Sequence, residues 1–324
     1  MDSNDKKLIK PETIEEMTVE LYRKAATTVR EDFVRGFEKA YAQERNALAK
    51  RHLEAMMKNI RIGKEKSLLT CGDTGVPIFY IRIGGNIGIE SSYSGLNGAI
   101  SAIKEAMIIA TKRATDEVPL RHCTVNGITR VNAETVIGVS VPHFVFKFDD
   151  KEEDLLEITV NPKGGGTERA LPMYRNSYLY EGIWGVKKIA LDAVVGGWER
   201  RYCWPVKLGV AIGVTPEYAL ELAKEAALLR PVGDRHPDSK VAEIELELLD
   251  ILNSTGIGPM ATGGDTTVLD VSMEYTSTSH GGIPTGVSCE CPMAKIATGV
   301  IYPDGRIEYK DYPGWFKHRE GYNE

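Results

Sequence analysis

The chain has 324 residues, enough for one large domain or two ordinary ones, with an ordinary globular balance of 42% hydrophobic and 27% charged residues. Its 46 acidic and 40 basic residues give a formal net charge of -6, which disfavours a protein that mainly neutralises nucleic-acid phosphates. No uncharged apolar run reaches the ~18 residues of a membrane span, the first residues are polar, and the five cysteines are scattered. We therefore expect a cytoplasmic enzyme or binding protein in a reducing compartment, with no membrane or nucleic-acid partner.

Helical periodicity dominates the start of the chain, where apolar residues recur three and four positions apart over residues 12–60. Further helices are predicted over residues 95–115, 178–195, 215–229 and 241–252, the third with Thr215 as N-cap and Pro216 at its first position. Strands are predicted over residues 78–83, 136–141, 144–148, 155–160, 206–214, 267–273, 294–302 and 306–309, the last two joined by a hairpin turn at 303–305. Helices first, then mixed strands and helices, predict an α+β fold.

The cysteines lie mostly among turn residues, and no Cys-x-x-Cys pair occurs. This removes the usual local signature of a zinc ribbon or a thioredoxin-type site. On spacing alone, unligated thiols near turns are the favoured interpretation. Single cysteines on distant loops can still converge on one cluster, so a metal site stays open. Three thiolates would leave one iron of a four-iron cluster without a protein ligand, and such an iron acts as a Lewis acid.

Glycine-rich segments are typical of sites that bind anions. Residues 162–168 (PKGGGTE) follow a predicted strand and place consecutive backbone N–H groups beside Lys163. Residues 255–259 (TGIGP) and 262–267 (TGGDTT) form a second such set. None of these segments is a Walker motif or a dinucleotide fingerprint. For Lys163, a solvated loop lysine and an anion contact are equally good interpretations.

Five motifs then occur in a recognisable order. They are CGDTG at 71–75, LRH at 120–122 with RVN at 130–132, KGGGTE at 163–168, GIGPM at 256–260 with GGDTT at 263–267, and SH at 279–280 followed by Pro284 and Cys291. In this order the chain resembles the α subunit of two-subunit class I (iron–sulfur) fumarate hydratases and L-tartrate dehydratases, over residues 12–302. The resemblance implies one domain over 1–324, with a helical part at 1–65, a cluster-binding core at 66–302 and a hairpin and tail at 303–324.

The resemblance implies a [4Fe-4S] cluster with three cysteine ligands: Cys71, Cys203 and Cys291. Cys291 is preferred to Cys289 because it stands seven residues after Pro284, where the family's ligand falls. Cys123 and Cys289 have no family counterpart and are interpreted as structural thiols.

The resemblance also implies a hydro-lyase that reversibly dehydrates a 2-hydroxy dicarboxylic acid of the fumarate/malate or tartrate type. The implied site residues are Asp73 and His280 as catalytic groups, and Arg121, Lys163, Gly164 and Gly165 as substrate-binding groups. Three of these residues have a simpler interpretation when taken alone: a surface ion pair for Arg121, a turn histidine for His280 and an Asx-turn for Asp73. The chemistry suits the implied roles, since Arg clamps a carboxylate with two parallel hydrogen bonds and Gly amides bind another.

Several departures from the family pattern keep an alternative open. Gly72 replaces a residue with a side chain, the Gly pair expected after Cys203 is missing, and Asn132-Ala133-Glu134 replaces Asn-Thr-Gly. The alternative is a non-catalytic paralogue that binds a cluster or a dicarboxylate as a sensor or assembly partner. A zinc or cluster-free hydrolase would need a water-activating carboxylate–histidine set that the sequence does not display.

The matched motifs supply no convincing group to move the proton at the carbon α to a carboxylate. In the one-chain forms that this sequence resembles, a second, C-terminal domain supplies further arginines, a lysine and a threonine for that transfer. A separate β subunit is therefore expected, in an α₂β₂ heterotetramer.

Aromatic residues add two smaller predictions. Trp198, Tyr202 and Trp204 are interpreted as core wall around Cys203. The apolar tail at 312–316 either docks on a partner or packs on its own domain.

Overall fold

The structure is a computed structural model, and it describes residues 8–148, 154–169, 173–198 and 203–314. The chain forms two compact units, neither of which is continuous in sequence. The first unit comprises Met1–Thr28, Lys66–Lys163 and Lys295–Pro313, and the second comprises Val29–Glu65, Gly164–Ala294 and Gly314–Glu324. No helix in the described part of the chain is both long and apolar enough to cross a membrane.

The described helices and strands follow one another in an irregular α+β order. The helices are α1 (Pro11–Thr27), α2 (Glu31–Gln43), α3 (Ala47–Lys66), α4 (Gly95–Glu117), α5 (Gly165–Arg169), α6 (Gly182–Trp198), α7 (Pro216–Leu229) and α8 (Ser239–Asn253). The strands are β1 (Val76–Ile83), β2 (His143–Phe148), β3 (Leu156–Lys163), β4 (Met173–Ser177), β5 (Val206–Ile212), β6 (Val268–Tyr275), β7 (Ile283–Glu290), β8 (Ala297–Ile301) and β9 (Ile307–Lys310). The predicted α+β class is confirmed.

The first unit is built on a five-stranded sheet in the order β2-β1-β3-β8-β9. Strands β1 and β2 run parallel, and the other neighbours run antiparallel. Helix α1 packs on α4 and on strands β3 and β8. Its apolar stripe, Met17, Leu21 and Ala25, is fully buried, as the three- and four-residue periodicity predicts.

The second unit contains a four-stranded sheet in the order β4-β7-β5-β6. Only the β5–β6 pair is parallel. Helix α7 lies on β5 and β7, and it approaches them closely because two glycines face it. A Cβ atom at Gly209 would lie 1.9 Å from the carbonyl oxygen of Ala223, and one at Gly286 would lie 2.4 Å from that of Ala219.

Two local predictions are wrong. Residues 136–141 form no strand, because Gly138 and Val141 exchange backbone hydrogen bonds of 3.2 and 3.1 Å around a tight turn in which Ser140 has φ 57°. Cys289 and Cys291, predicted to lie among turn residues, stand in the segment 288–292, but the first three residues of that segment belong to β7. Strands β4 and β7 were not predicted, and α6 begins at Gly182 rather than at residue 178.

Candidate active site

The 71–75 loop, which carries the first cysteine motif, is fixed against the end of β3. Its last residue, Gly75, has φ 89°, and a Cβ atom there would lie 2.1 Å from the carbonyl oxygen of Pro162. The next residue, Val76, pairs with Lys163 in the antiparallel β1–β3 ladder. Only glycine meets both demands, positive φ and close backbone approach, at position 75. The 71–75 loop is therefore fixed at its Gly75 end to the last residues of β3.

Arg121 is attached to the same loop through its backbone. Its N–H donates to Oγ1 of Thr74 at 2.8 Å, and Thr74 is buried. Two residues later, Sγ of Cys123 donates to the carbonyl oxygen of Gly75 at 3.1 Å. Two motifs that lie about fifty residues apart in sequence are thus joined in the first unit, and the Arg121 side chain is exposed to solvent.

The Cys123 thiol has a raised pKa. Burial is the main cause, the Asp73 carboxylate raises the pKa further, and Lys295 and two backbone hydrogen bonds lower it. A thiol with a raised pKa is a poor thiolate donor, which agrees with a structural role for Cys123.

Lys163 and Asp73 both lie at this loop. Lys163 is the last residue of β3 and is 2% exposed, so its interpretation as a solvated loop lysine is wrong. Asp73 is half-buried, and its carbonyl oxygen accepts a hydrogen bond from the Lys295 ammonium. Sequence reasoning missed Lys295, although a lysine within the apolar run 293–301 was a signal that it is buried for a reason.

Gly164 and Gly165 follow directly. Gly164 is buried and its carbonyl oxygen accepts from Oγ1 of Thr167 at 2.7 Å, whereas Gly165 is exposed and a Cβ atom there would meet open space. The Thr167 carbonyl oxygen lies 3.9 Å from Sγ of Cys289, which belongs to the buried face of β7. Gly165 therefore lies at the surface, with space beside its Cα atom.

Cys203 lies beside the second glycine set in the second unit. The cysteine is exposed, and the next residue, Trp204, is fully buried, as predicted for core wall. The Met260 N–H donates to the Trp204 carbonyl oxygen at 3.2 Å, and the Gly258 N–H donates to Oγ1 of Thr267 at 3.1 Å. The 256–260 and 263–267 motifs thus fold onto each other at this cysteine. The Trp198 side chain and Tyr202 lie outside the described residues, as do residues 315–324 of the tail.

Cys291 and His280 also belong to the second unit. Cys291 is partly exposed and directly follows β7, in which Cys289 is fully buried. His280 lies in an exposed turn in which the Gly281 N–H donates to Oγ of Ser279 at 3.3 Å. Its catalytic assignment stays a prediction.

Comparison with known proteins decides the family. The model of the fumarate hydratase (fumerase) family matches residues 15–300. The chain belongs to this family.

Relatives match it over most of their length. A chain of Methanocaldococcus jannaschii, provisionally named L(+)-tartrate dehydratase subunit alpha, is 39% identical over 296 residues, covering 91% of this chain and 99% of that one. The L(+)-tartrate dehydratase subunit alpha of Escherichia coli strain K12 is 30% identical over 285 residues, covering 87% and 89%. The predicted hydro-lyase family and α-subunit type are confirmed.

The [4Fe-4S] cluster expected of a class I fumarate hydratase needs cysteine thiolates as ligands. All five cysteines carry thiols, and Cys71, Cys203 and Cys291 are each at least partly exposed. Soft thiolates are the ligands that iron–sulfur clusters require, so the donor chemistry fits. Cys71 belongs to the first unit and the other two to the second. Within the described ranges, no three His, Cys, Asp or Glu side chains are gathered so that they could hold a metal ion.

Proposed function

We propose that this chain is the α subunit of an iron–sulfur hydro-lyase that dehydrates a 2-hydroxy dicarboxylic acid, with L(+)-tartrate as the first candidate and malate as the second. One observation carries the proposal: the backbone of Arg121 is held at 2.8 Å by Thr74, in the loop that bears Cys71. A guanidinium that clamps carboxylates is thereby tethered to a candidate cluster ligand. The names of the relatives, L(+)-tartrate dehydratase subunit alpha, favour tartrate.

Three cysteines of this chain would hold the cluster: Cys71, Cys203 and Cys291. When bound by three thiolates, a [4Fe-4S] cluster supplies a Lewis acid that polarises the C–O bond of the leaving hydroxyl group. The exposure of Cys203 and the partial exposure of Cys71 and Cys291 support this assignment.

The remaining residues would bind the substrate and handle protons. Arg121 would clamp one carboxylate in a bidentate manner, while the Gly164 and Gly165 backbone and the buried Lys163 ammonium would stabilise negative charge on the other. Asp73 would contact the substrate beside Cys71. The His280 ring N–H would donate to a substrate oxygen, since imidazole can give or take a proton near neutral pH.

A partner subunit would complete the site, because none of these residues is a convincing base for the proton α to the second carboxylate. Three aliphatic side chains at two tight turns of the first unit support a partner: Ile128, Val131 and Val139 are 93%, 67% and 86% exposed. Aliphatic side chains that are this exposed are candidates for burial in a protein interface. The first turn starts soon after Arg121, so a β subunit seated there would lie near the proposed substrate clamp. We propose that the assembly is α₂β₂.

The deciding experiment is anaerobic co-purification of this chain with its candidate β chain. We expect about four irons and four sulfides per α chain, brown colour, and turnover of L(+)-tartrate or malate by the complex but not by the α chain alone. Substitution of Ile128 or Val139 by serine should weaken the complex while iron content is retained. A cluster without turnover of any hydroxy dicarboxylate would favour the sensor alternative, and absence of iron in the intact complex would overturn the proposal.

A further inference from the structure

Lys295 is a buried cation at the 71–75 loop that no motif singles out. It is 2% exposed, lies just before β8 in the first unit, and donates from its ammonium to the carbonyl oxygen of Asp73. An ammonium loses much hydration when it is buried, so a lysine is retained at such a position only if its charge or its donors are used.

The lysine is itself anchored to the sheet. Its carbonyl oxygen accepts from Nδ2 of Asn161 at 2.8 Å, and Asn161 is fully buried in β3, where it pairs with Ile78 of β1. The backbone of Lys295 is therefore held by strand β3, while its ammonium group contacts the 71–75 loop.

Three successive residues of the loop are each held by a different anchor. The Asp73 carbonyl oxygen accepts from Lys295, Oγ1 of Thr74 accepts from the Arg121 N–H, and the Gly75 carbonyl oxygen accepts from Cys123. The anchors at Thr74 and Gly75 are Arg121 and Cys123, about fifty residues further along the chain, whereas Lys295 is more than two hundred residues away in sequence. Of these three anchors, Lys295 is the one that donates from a positively charged group, since the other two donors are a backbone N–H and a thiol.

We propose that Lys295 is a positioning residue of the site: it holds the Asp73 carbonyl so that the Cys71 thiol and the Asp73 carboxylate keep one orientation, and it fixes a positive charge beside the site of a dianionic substrate. The expected effect of Lys295 on turnover rests on the proposed function. Its effect on the 71–75 loop can be tested without assuming that function. Lys295 acts through the loop, and it need not touch the substrate.

The first test uses the full-length chain without cluster and three variants: Lys295→Met, Lys295→Arg and the control Lys207→Met. Lys207 is also fully buried and donates to backbone carbonyls, those of Ala226 and Arg230, but in the second unit. We expect amide hydrogen exchange in the 71–75 loop to rise at least about ten-fold in Lys295→Met, while exchange in β3 stays unchanged. Lys295→Arg should restore much of the protection, and Lys207→Met should leave the loop unaffected. Unchanged loop exchange in Lys295→Met would overturn the proposal.

The second test uses the anaerobic complex and normalises turnover to bound iron. In Lys295→Met we expect kcat per iron to fall at least about ten-fold with a smaller change in KM, together with an altered electron paramagnetic resonance signal of the reduced cluster. Wild-type kcat per iron and an unchanged signal would show that Lys295 is only structural. If the wild-type complex lacks iron or turnover, the proposed function fails, while the exchange result still decides whether Lys295 positions the loop.

Discussion

At the scale of single residues, the five thiols fall into different environments. Cys289 is buried in β7 and Cys123 donates to the Gly75 carbonyl oxygen, whereas Cys71, Cys203 and Cys291 lie on exposed or partly exposed loop backbone. Cluster ligands must be reachable as thiolates, and burial in apolar surroundings opposes that form. The structure therefore gives Cys289 a different environment from Cys291, the residue that the spacing from Pro284 favours as the ligand.

Single cysteine-to-serine substitutions test this separation. Loss of a thiolate ligand at position 71, 203 or 291 should abolish or severely reduce cluster binding, because serine is a poor ligand for iron–sulfur clusters. Cys289→Ser and Cys123→Ser should retain iron, and they serve as controls for the effect of the substitution itself. Iron and acid-labile sulfide are measured per chain after anaerobic purification. Full iron content in Cys203→Ser, or loss in Cys289→Ser with retention in Cys291→Ser, would contradict the assignment.

Arg121 provides a second test at this scale. Because only its backbone is used to hold the loop, Arg121→Ala should keep the Thr74 contact and the iron content. The lost bidentate contact is worth roughly 1.5–3 kcal/mol, so kcat/KM for the dicarboxylate should fall about ten- to a hundred-fold. Arg61→Ala, an exposed arginine on α3, is the control. Wild-type kinetics of Arg121→Ala would make this arginine an ordinary surface residue.

At the scale of elements, the contact between the 71–75 loop and β3 is set by one glycine. Gly75→Ala should destabilise the protein by at least about 2 kcal/mol, because alanine disfavours φ 89° and its Cβ would overlap the Pro162 carbonyl. Gly72 lies in the same loop, and a Cβ there would meet nothing within 4 Å. Gly72→Ala is therefore the matched control, with unchanged stability. Urea unfolding measures both, and equal stabilities of the two variants would refute this account of the loop.

Strands such as β7 could not be predicted from the sequence, because tertiary packing determines which residues they contain. Strand β7 lies between β4 and β5, yet its sequence contains Pro284 and Gly286, which are read as turn residues. Position 286 requires glycine because the backbone of α7 lies too close for a Cβ atom. This close approach is a tertiary contact, and no local sequence pattern indicates it. Long amphipathic helices such as α1 were predictable because burial of one face repeats every three to four residues.

The candidate site was predictable in part for a related reason. Motif order identified Cys71 and Arg121, and the structure joins their loops through Thr74. Lys295 has no motif, since its function depends on a contact across more than two hundred residues. Residues that act through tertiary contacts become visible only once the sheet brings them together.

At the scale of the whole molecule, the second unit buries several charged side chains. Arg30 and Asp32 form a buried ion pair, with Arg30 Nε 2.9 Å from Asp32 Oδ1. Arg230 donates to Oε1 of Glu245 at 2.7 Å, and Arg235 is paired with the buried Asp270. The attraction within a buried ion pair only partly offsets the hydration that its charges lose. A change in the charge of one partner would leave the other buried and unpaired, so the stability of the unit depends on the ionisation states of these groups.

Lys207 makes that dependence measurable. Burial lowers its pKa to about 7, with Arg30 and Arg230 acting in the same direction and Asp270 and Asp32 opposing them. The unfolded chain keeps the ordinary value of 10.5 and thus binds more protons than the folded chain between about pH 7 and 10.5. This lysine's contribution to the free energy of unfolding should therefore rise with pH across that window, by up to about 1.4 kcal/mol per pH unit, and be flat below it.

The test compares wild type with Lys207→Met by urea unfolding at several values between about pH 6 and pH 9. The difference between their free energies of unfolding should change in favour of the wild type as the pH rises above 7, since methionine carries no titrating proton. Lys310→Met, at the end of β9 in the first unit, is the control and should run parallel to the wild type. A Lys207→Met curve that also runs parallel to the wild type would mean that Lys207 keeps its ordinary pKa in the folded chain.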